Sequence, residues 1–440
     1  MRVQHPAVGP SLTSCLKVVD PETGRSCAEV QFRPLELVRS LATWHIRGQK
    51  SYRYVCVGTA QLTEQGDMQD SVQQQQATGG RLVIYNLKPV KRKSRSRLAL
   101  SPEVDRMAAV SSAGAPGYEL KYVWESDRSG PVSALASLGD AYLVVAVGAR
   151  CVVLKLDVVQ KRLIECCECP LRFAAVSLDI CGHDIVVGST REAVNVLRFT
   201  AAEGDSGCDK LEPVYSARFG ANTADARFLA ADLVAGVDHS GFVFVAGLPV
   251  KSAEFGLDFA LGMHLGTECT RLRVGQMVQR LDLPEHVLAW SRSANDSSDN
   301  RSAGCIVIST LSGGMWTIAR ISDDAFALLR RLELAMLAMP PLHPARPLFA
   351  ASGSINRARN TSRIQPTGIV DGSLSATFVQ HLTTAERIEV VDSSPDLMQA
   401  ALAVAERSIL GPCPAAPDPH TTAAEFVARL VHDLSRVSIC

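Results

Sequence analysis

Three cysteines in a short string are the residues with the clearest potential for metal chemistry. Cys166-Cys167-Glu168-Cys169 contains a C-x-x-C spacing, and a tetrahedral zinc site would need a second pair of ligands. His183 is the one histidine close to this string in the sequence. A metal site and buried, idle thiols are both possible interpretations, and the missing second ligand pair favours idle thiols.

Two other strings match fragments of catalytic patterns. Ser14 and Lys17 form a Ser-x-x-Lys string, but the partner motifs of that enzyme class are absent. Asp323 and Asp324 are adjacent carboxylates, and they stand where a helix is predicted to begin, a position at which carboxylates stabilise exposed N–H groups. No phosphate loop, dinucleotide fingerprint, zinc-protease motif or nucleophile elbow is present. We therefore predict no enzyme activity, no cofactor and no metal.

A basic string is the sharpest charge feature. It contains Lys91, Arg92, Lys93, Arg95 and Arg97. Such a string is typical of a nuclear-localisation signal or of a nucleic-acid patch, and the alternative is a solvated surface loop. No aromatic residue interrupts it, so stacking on single-stranded bases is not expected.

The sequence contains several short apolar runs that end in glycine or a small residue, and these predicted strands would have to position the residues named above. They cover residues 54–60, 142–148, 185–188, 233–236 and 305–309. A second strand-like run follows each of the middle three, which predicts β-hairpins. Gly148 and Gly188 are predicted to lie in the tight turns that follow their strands, where glycine tolerates a positive φ.

The spacing of the strands favours one fold class. Val144, Ile185 and Leu233 are separated by about 41 and 48 residues, and propeller blades of four strands repeat at roughly 40–50 residues. A single four-stranded sheet cannot bury both faces, whereas radial stacking of such sheets does. We therefore predict an all-β propeller with four-stranded antiparallel blades; a β-sandwich is the alternative.

The pattern changes near residue 320. This change predicts a β-propeller over residues 1–320 and a small α-helical C-terminal domain over residues 321–440. Apolar residues at helical spacing predict helices over residues 323–339, 374–382, 395–410 and 422–437.

The last predicted helix carries two further signals. Thr422 and Glu425 form a capping-box pattern, which predicts that the helix begins at Ala423. An apolar stripe of Phe426, Leu430, Leu434 and Val437 predicts one buried face.

Composition limits the class of protein. Lysine plus arginine and aspartate plus glutamate both number 45, whereas a duplex binder that neutralises phosphates would show a basic excess. The 13 scattered cysteines favour a reducing compartment over a disulfide framework. The first 21 residues lack an apolar signal core, and charged residues interrupt the most apolar stretch, 141–159. Neither a secretory signal nor a membrane span is expected.

Eight short strings follow one another in a family-like order and spacing. They are VVDPET at 18–23, YVCVGTA at 54–60, GRLVIY at 80–85, GPVSAL at 130–135, DIVVG at 184–188, HLG at 264–266, TLSGG at 310–314 and PTGIVDGSL at 366–374. The set resembles the large propeller proteins that include the large subunit of the damaged-DNA-binding complex, splicing factor 3b subunit 3 and the largest cleavage and polyadenylation specificity factor subunit. The resemblance spans nearly the whole chain and roughly the last third of a full-length member, from its third propeller onward.

Some of these strings look like one member of the family, and others look like another member. HLG at 264–266, the Pro-Thr-Gly before Ile369 and the helix ending at Arg436 look like the damaged-DNA-binding subunit. TLSGG at 310–314 and VAGVD at 234–238 look more like the splicing-factor subunit. We prefer the first member and keep the splicing and polyadenylation subunits as alternatives.

The resemblance implies a fold, a role and a set of partner-binding residues. The propeller would be of the seven-bladed type, with an incomplete ring allowed for. In the damaged-DNA-binding member, the first and third propellers form a clasp around a helical segment of a substrate receptor, and the second docks a cullin ubiquitin-ligase scaffold. By this resemblance, the candidate partner-binding residues are Arg218, Asn222, Arg227, Phe426 and Leu430. The family string that carries tryptophan before the strand at Ala226 has Asn222 in this chain.

The functional expectation is therefore a non-enzymatic nuclear scaffold that docks substrate receptors for a cullin-type ubiquitin ligase in DNA repair. The alternative is an RNA-processing scaffold with nucleic-acid binding, similar to the splicing or polyadenylation subunits. The expected partners are other proteins, either substrate receptors or spliceosomal and 3′-processing subunits. Contact with nucleic acid is expected to be indirect, and no membrane partner is expected.

Overall fold

The computed structural model of the chain is mostly β, with helices in its C-terminal part. It describes residues 2–4, 13–20, 24, 26–46, 52–62, 77–89, 118–157, 162–202, 208–217, 221–248, 258–275, 305–339, 368–407 and 419–439. Within these residues, 22 strands form six antiparallel sheets of three or four strands, and five helices follow.

Each sheet is built from consecutive strands, so each is an up-and-down meander. The first three sheets contain β1 (Arg2–Gln4), β2 (Cys15–Val19) and β3 (Ser26–Gln31); β4 (Glu36–Ile46), β5 (Tyr52–Leu62), β6 (Ala77–Pro89) and β7 (Tyr118–Arg128); and β8 (Val132–Leu138), β9 (Tyr142–Val147), β10 (Arg150–Asp157) and β11 (Arg162–Pro170). The last three contain β12 (Ala175–Cys181), β13 (Asp184–Ser189), β14 (Val194–Thr200) and β15 (Lys210–Ser216); β16 (Thr223–Ala230), β17 (Leu233–Asp238), β18 (Phe242–Gly247) and β19 (Asp258–His264); and β20 (Cys269–Val274), β21 (Ile306–Thr310) and β22 (Met315–Ile318). These sheets are consistent with propeller-like blades, and the number of seven blades stays a prediction.

The predicted hairpins are confirmed as the middle strands of three sheets: β9 with β10, β13 with β14, and β17 with β18. The two glycine predictions have different outcomes. Gly148 has a φ of 55° in the turn between β9 and β10, as predicted. Gly188 lies inside β13, paired with Ser177 beside a β-bulge, and its φ is not positive. The turn predicted at Gly188 is therefore wrong, because the strand continues to Ser189.

The strand β9 is apolar on both faces because the sheet β8–β11 packs against a neighbouring sheet on each side. Successive side chains of a strand point to opposite faces. In β9, Leu143 and Val145 pack in a core shared with β4–β7, whereas Val144 and Ala146 pack in a core shared with β12–β15. This double burial explains why β9 is a continuous apolar run without polar alternation.

The chain divides into two compact units. The first comprises Met1–Thr190 and Asn195–Val214, and the second comprises Arg191–Val194 and Tyr215–Cys440. Within the second unit, strand structure changes to helix between β22 and the first helix, which begins at Asp323. The predicted division into a propeller over 1–320 and a helical domain over 321–440 stays a prediction.

Five helices follow the last sheet: α1 (Asp323–Ala338), α2 (Gly372–Gln380), α3 (Thr384–Asp392), α4 (Pro395–Arg407) and α5 (Pro419–Ile439). Ser322 caps α1, with its hydroxyl accepting from the Ala325 N–H at 3.3 Å. Asp323 and Asp324 occupy the first turn, where carboxylates favour the exposed N–H groups. They are helix-start residues, as predicted.

The capping box lies on a different helix from the predicted one. α5 begins at Pro419 and not at Ala423, since proline fits the first helical turn, where its missing N–H is not needed. Thr383 and Glu386 form the observed box at the start of α3, a helix that the sequence patterns did not reveal. The Thr383 N–H donates to Glu386 Oε2 at 2.7 Å.

The apolar stripe of α5 is buried in the core of the helical part. Phe426, Leu430 and Leu434 pack there with side chains from α1 to α4. α5 contacts α2, α3 and α4, and it also reaches β22. An isolated amphipathic helix of this length is marginal in water, so this packing is what holds α5 in place.

Leu430→Ala should lower the free energy of unfolding by about 2–5 kcal/mol, because the side chain is fully buried and its loss leaves a cavity. Chemical denaturation followed by helical circular dichroism measures the loss. Leu334, which is 52% exposed on α1, supplies the control: Leu334→Ala should change stability by less than about 0.5 kcal/mol. Equal effects of the two substitutions would contradict the placement of Leu430.

Candidate protein-interaction site

The structure separates the predicted partner-binding residues. Asn222 is exposed directly before β16, and its carbonyl accepts from the His239 N–H at 3.0 Å. Arg227 lies on β16. Phe426 and Leu430 are buried in the helical core, at 3% and 0% exposure. Their packing favours a structural role within the helical part, and a role in partner binding stays a prediction.

The remaining predicted residues lie outside the described residues. These are Arg218 and the basic string of Lys91, Arg92, Lys93, Arg95 and Arg97. The roles predicted for them rest on the sequence alone.

Arg227 belongs to a group of charged side chains that we call the arginine cluster: Asp225, Arg227, Arg271 and Arg273. Arg227 Nε lies 3.3 Å from Asp225 Oδ1. Arg271 Nη1 and Arg273 Nη1 lie 3.9 Å and 3.6 Å from Asp225 Oδ2. Two guanidinium groups therefore meet the same carboxylate oxygen.

Strand alternation brings these side chains together. Asp225 and Arg227 are two residues apart on β16, so they point to the same face. Arg271 and Arg273 stand on either side of Leu272 on β20, and Leu272 is fully buried. Packing of Leu272 in the core shared by these two sheets fixes the opposite orientation for both arginines.

The carboxylate of Asp225 joins β16 to β20. It is fully buried, and its oxygens accept from two backbone amides, Ala226 N–H at 3.1 Å and Leu272 N–H at 3.2 Å. A carboxylate that accepts N–H groups and faces guanidinium groups compensates for its own desolvation. Asp225 therefore anchors the seam between the two sheets and also organises the arginines.

The three arginines of the cluster differ in their exposure to solvent. Three guanidinium groups face one carboxylate, and arginine stays protonated in proteins. The side chains of Arg271 and Arg273 are 51% and 63% exposed, whereas that of Arg227 is 23% exposed. The cluster is therefore a polar seam between β16 and β20, and its arginines on β20 reach solvent.

A second charged network lies on the sheet β4–β7. Arg81 donates to both oxygens of Glu36, at 2.8 Å and 2.6 Å, and to Glu125 at 2.6 Å. Burial acts to raise the pKa of Glu36, but hydrogen bonds from Arg81 and Thr59 and the charge of Arg81 outweigh it, so this pKa lies below its ordinary value. Arg33 also reaches Glu125, at 3.2 Å. The close pairing of Arg81 with two carboxylates indicates a structural role.

The C-x-x-C string lies on the edge strand β11, where Cys169 pairs with Cys151 of β10. Burial raises the pKa of the Cys167 thiol to about 12 and also raises those of Cys166 and Cys169. Raised pKa values keep thiols protonated, and the thiolate is the form that reacts and binds metal. Across the described part of the chain, no group of three or more His, Cys, Asp or Glu side chains could hold a metal ion.

Ser14 and Lys17 both make contacts that join neighbouring strands. Ser14 Oγ is buried and accepts from the Val38 N–H at 3.3 Å. Lys17 Nζ pairs with Glu29 at 3.3 Å across β2 and β3. Among the helices as described, none is long and apolar enough to cross a membrane.

Sequence reasoning named Arg227 as a candidate but did not single out Asp225, Arg271 or Arg273, which contact one another around it. The alternation Arg271-Leu272-Arg273 in a strand was the available signal, because it places two arginines on one face around a buried leucine. The pairing with Asp225 carried no local signal, since Leu272 lies 47 residues from Asp225.

The six meander sheets are consistent with propeller-like blades, and five helices follow the last of them among the described residues. The family model described as the CPSF A subunit region matches residues 13–380. The chain belongs to this family, which the large damaged-DNA-binding subunit, splicing factor 3b subunit 3 and the largest cleavage and polyadenylation factor subunit share. Its members are generally scaffold proteins that bind other proteins. A search among curated proteins found no match.

Asp225→Asn should destabilise the fold by about 1–3 kcal/mol, because three arginines lose the charge that offsets their mutual repulsion. Urea denaturation measures the effect. The loss should shrink at high salt, since ions screen the repulsion between exposed arginines.

Asp232→Asn is the matched control on the same sheet. Asp232 is exposed in the turn between β16 and β17, so its substitution should change stability by less than about 0.5 kcal/mol. A loss for Asp225→Asn that equals the control, or that does not depend on salt, would show that charge does not hold the arginine cluster.

Proposed function

We propose that this protein is a non-enzymatic nuclear scaffold that resembles the damaged-DNA-binding large subunit. Its role is to dock substrate receptors for a cullin-type ubiquitin ligase in DNA repair. The proposal includes a propeller of the seven-bladed type over residues 1–320 and a helical domain over residues 321–440.

The observation that carries the proposal is the family match over residues 13–380. The match covers both strands that hold the arginine cluster, and it extends to the end of α2. Family members are generally scaffolds that bind proteins, so a protein partner is the occupant that the family supports for such a surface.

The family-like strings have structural roles in this chain. TLSGG at 310–314 forms the turn between β21 and β22, with the Thr310 N–H donating to the Gly314 carbonyl at 2.9 Å. Gly266, in HLG, has a φ of 72°, and Asp371, in PTGIVDGSL, caps α2. Strings that look like the damaged-DNA-binding subunit and strings that look like the splicing-factor subunit therefore both have roles in the fold. The partner must be identified by experiment.

α5 offers a partner a polar face. Phe426 and Leu430 are buried, whereas Glu425, Arg429 and His432 are exposed at positions one turn apart. If α5 forms one wall of a receptor cleft, as the resemblance implies, the receptor contacts this polar face and the buried stripe supports it from within.

The tagged full chain should co-purify with subunits of a cullin ubiquitin ligase and its substrate receptors when quantified by mass spectrometry. Co-purification with spliceosomal or 3′-processing subunits would instead establish the RNA-processing alternative. The absence of all three groups would reject the scaffold proposal.

The same purification tests the wall formed by α5. The variant Glu425→Ala/Arg429→Ala/His432→Ala keeps the buried stripe, so it should fold normally. It should reduce receptor capture at least about fivefold, a loss of about 1 kcal/mol. Unchanged capture would show that α5 is not part of the receptor site.

Nuclear import gives an independent prediction for the basic string. Alanine replacement of Lys91, Arg92, Lys93, Arg95 and Arg97 should shift the fluorescently tagged protein to the cytoplasm without changing its melting temperature. The control replaces five exposed basic residues elsewhere: Arg53, Lys88, Lys121, Arg162 and Lys210. Nuclear accumulation that survives the first replacement would favour a solvated loop.

A further inference from the structure

We infer that one end of the sheet β4–β7 is a docking site for an acidic segment of a partner protein, with Lys88 and Lys121 as the residues that contact its carboxylates. We call this end, with Arg53, Lys88, Glu119 and Lys121, the basic sheet end. The inference rests on the proposed scaffold function, because it names the chemistry of one partner surface. It concerns exposed residues that none of the family-like strings contains.

Strand direction brings three cations to the same end of the sheet. In this antiparallel sheet, the last residues of β4 and β6 and the first residues of β5 and β7 lie at one end. Arg53 is the second residue of β5, Lys88 is the second-last of β6, and Lys121 is the fourth of β7. All three side chains are exposed, so an external anion can reach them.

The two lysines share one face of the outer strands. Lys88 stands opposite Glu119, and Lys121 stands opposite Asn86. Residues two apart on a strand point to the same face, so the lysines are diagonal neighbours, a relation that places residues about 7–8 Å apart. Alternate residues of an extended segment are separated by about 6.5–7 Å. Two carboxylates of one extended partner segment therefore match the spacing of Lys88 and Lys121.

The cations of the basic sheet end are not neutralised by neighbouring carboxylates. Among the described residues, none of the three forms an ion pair, and the carboxylate of Glu119 does not pair with the lysine opposite it. At the other end of the same sheet, by contrast, Arg33 and Arg81 both pair with Glu125. Only one end of the sheet therefore has cations available to a partner.

The segments that join the strands have charges of opposite sign at the two ends. At the basic sheet end, residues 47–51 and 90–117 contain eight basic and two acidic side chains. At the other end, residues 63–76 contain three acidic side chains and no basic one. These segments lie outside the described residues and are not part of the site. Their charge reinforces the contrast between the ends, because summed charge steers an anionic partner before contact.

The confinement of positive charge to one end favours an acidic protein segment over nucleic acid. Binding by phosphate neutralisation needs many basic residues, whereas β7 continues from Lys121 to the exposed carboxylate of Asp127. The whole chain has equal numbers of basic and acidic residues. Members of the family are generally scaffolds that bind proteins. A short acidic segment needs only the basic sheet end and avoids the carboxylates beyond it.

Fluorescence anisotropy with the purified full chain tests the inference. The probes are a fluorescein-labelled polyglutamate peptide and a labelled oligouridine of matched charge. Lys88→Glu/Lys121→Glu should weaken polyglutamate binding at least about tenfold, because it turns attraction into repulsion. Lys88→Gln/Lys121→Gln introduces no new charge and should weaken binding at least about threefold, which keeps the test valid if the glutamate pair disturbs folding.

Glu119→Gln should have the opposite effect. Its carboxylate stands opposite Lys88, so removal of the negative charge should tighten polyglutamate binding about twofold or more. A gain in affinity cannot result from a loss of structure. Binding that is no tighter than that of wild type would contradict contact between the peptide and the basic sheet end.

Arg39→Glu/Lys210→Glu is the control for net charge. Both residues are exposed; Arg39 lies towards the other end of β4, and Lys210 begins β15. The charge change is the same as in the test variant, so binding should stay within about twofold of wild type. Equal weakening by this control would overturn the inference, as would tighter binding of oligouridine that depends on Lys88 and Lys121.

Partner purification separates this inference from the proposed function. The Lys88→Glu/Lys121→Glu variant should lose at least one partner that wild type captures. If wild type captures its partners and the variant captures all of them equally, the basic sheet end is not the docking site and the scaffold proposal stands. If wild type captures no scaffold partner, the scaffold proposal fails whatever the peptide result.

Discussion

The structure depends on one constraint: a four-stranded sheet with two apolar faces must be covered on both sides. β9 shows the consequence, because neighbouring side chains such as Val144 and Val145 enter different cores. Close packing at these cores also restricts side-chain size. A Cβ atom on Gly80 would lie 2.2 Å from the Thr59 carbonyl oxygen, so only glycine fits there. The stacking of sheets thus explains why the strands are apolar runs. It also explains why some strand positions, such as Gly80, accept only glycine.

Double burial leaves few places for charged side chains. They occur at strand ends and at the seams between sheets, where a backbone amide or an opposite charge can compensate for desolvation. Glu36 and Arg81 form one such group, with matched hydrogen bonds. Asp225 forms another, in which two backbone amides and three arginines surround its carboxylate.

A scaffold protein needs a rigid body and an adaptable surface. In this chain, different residues of the same helix or strand meet these two requirements. In α5, Phe426 and Leu430 hold the helix in its bundle while Glu425 and Arg429 face outward. In β20, Leu272 fixes the strand and Arg271 and Arg273 project from the other face. A buried residue next to an exposed charge places that charge with little conformational entropy left to lose.

The sequence alone determined the elements whose signals are local. Apolar runs and their recurrence predicted the hairpins β9–β10, β13–β14 and β17–β18, and helical spacing predicted four of the five described helices. It did not determine the turn at Gly188, the start of α5 or the partners of Arg227. Pairing with Ser177 keeps Gly188 inside its strand, which is a decision of the tertiary structure. α5 begins at Pro419, where a proline fits the first helical turn. The arginine cluster joins β16 to a strand 47 residues away, and contacts of that range depend on how sheets stack, which no local pattern records.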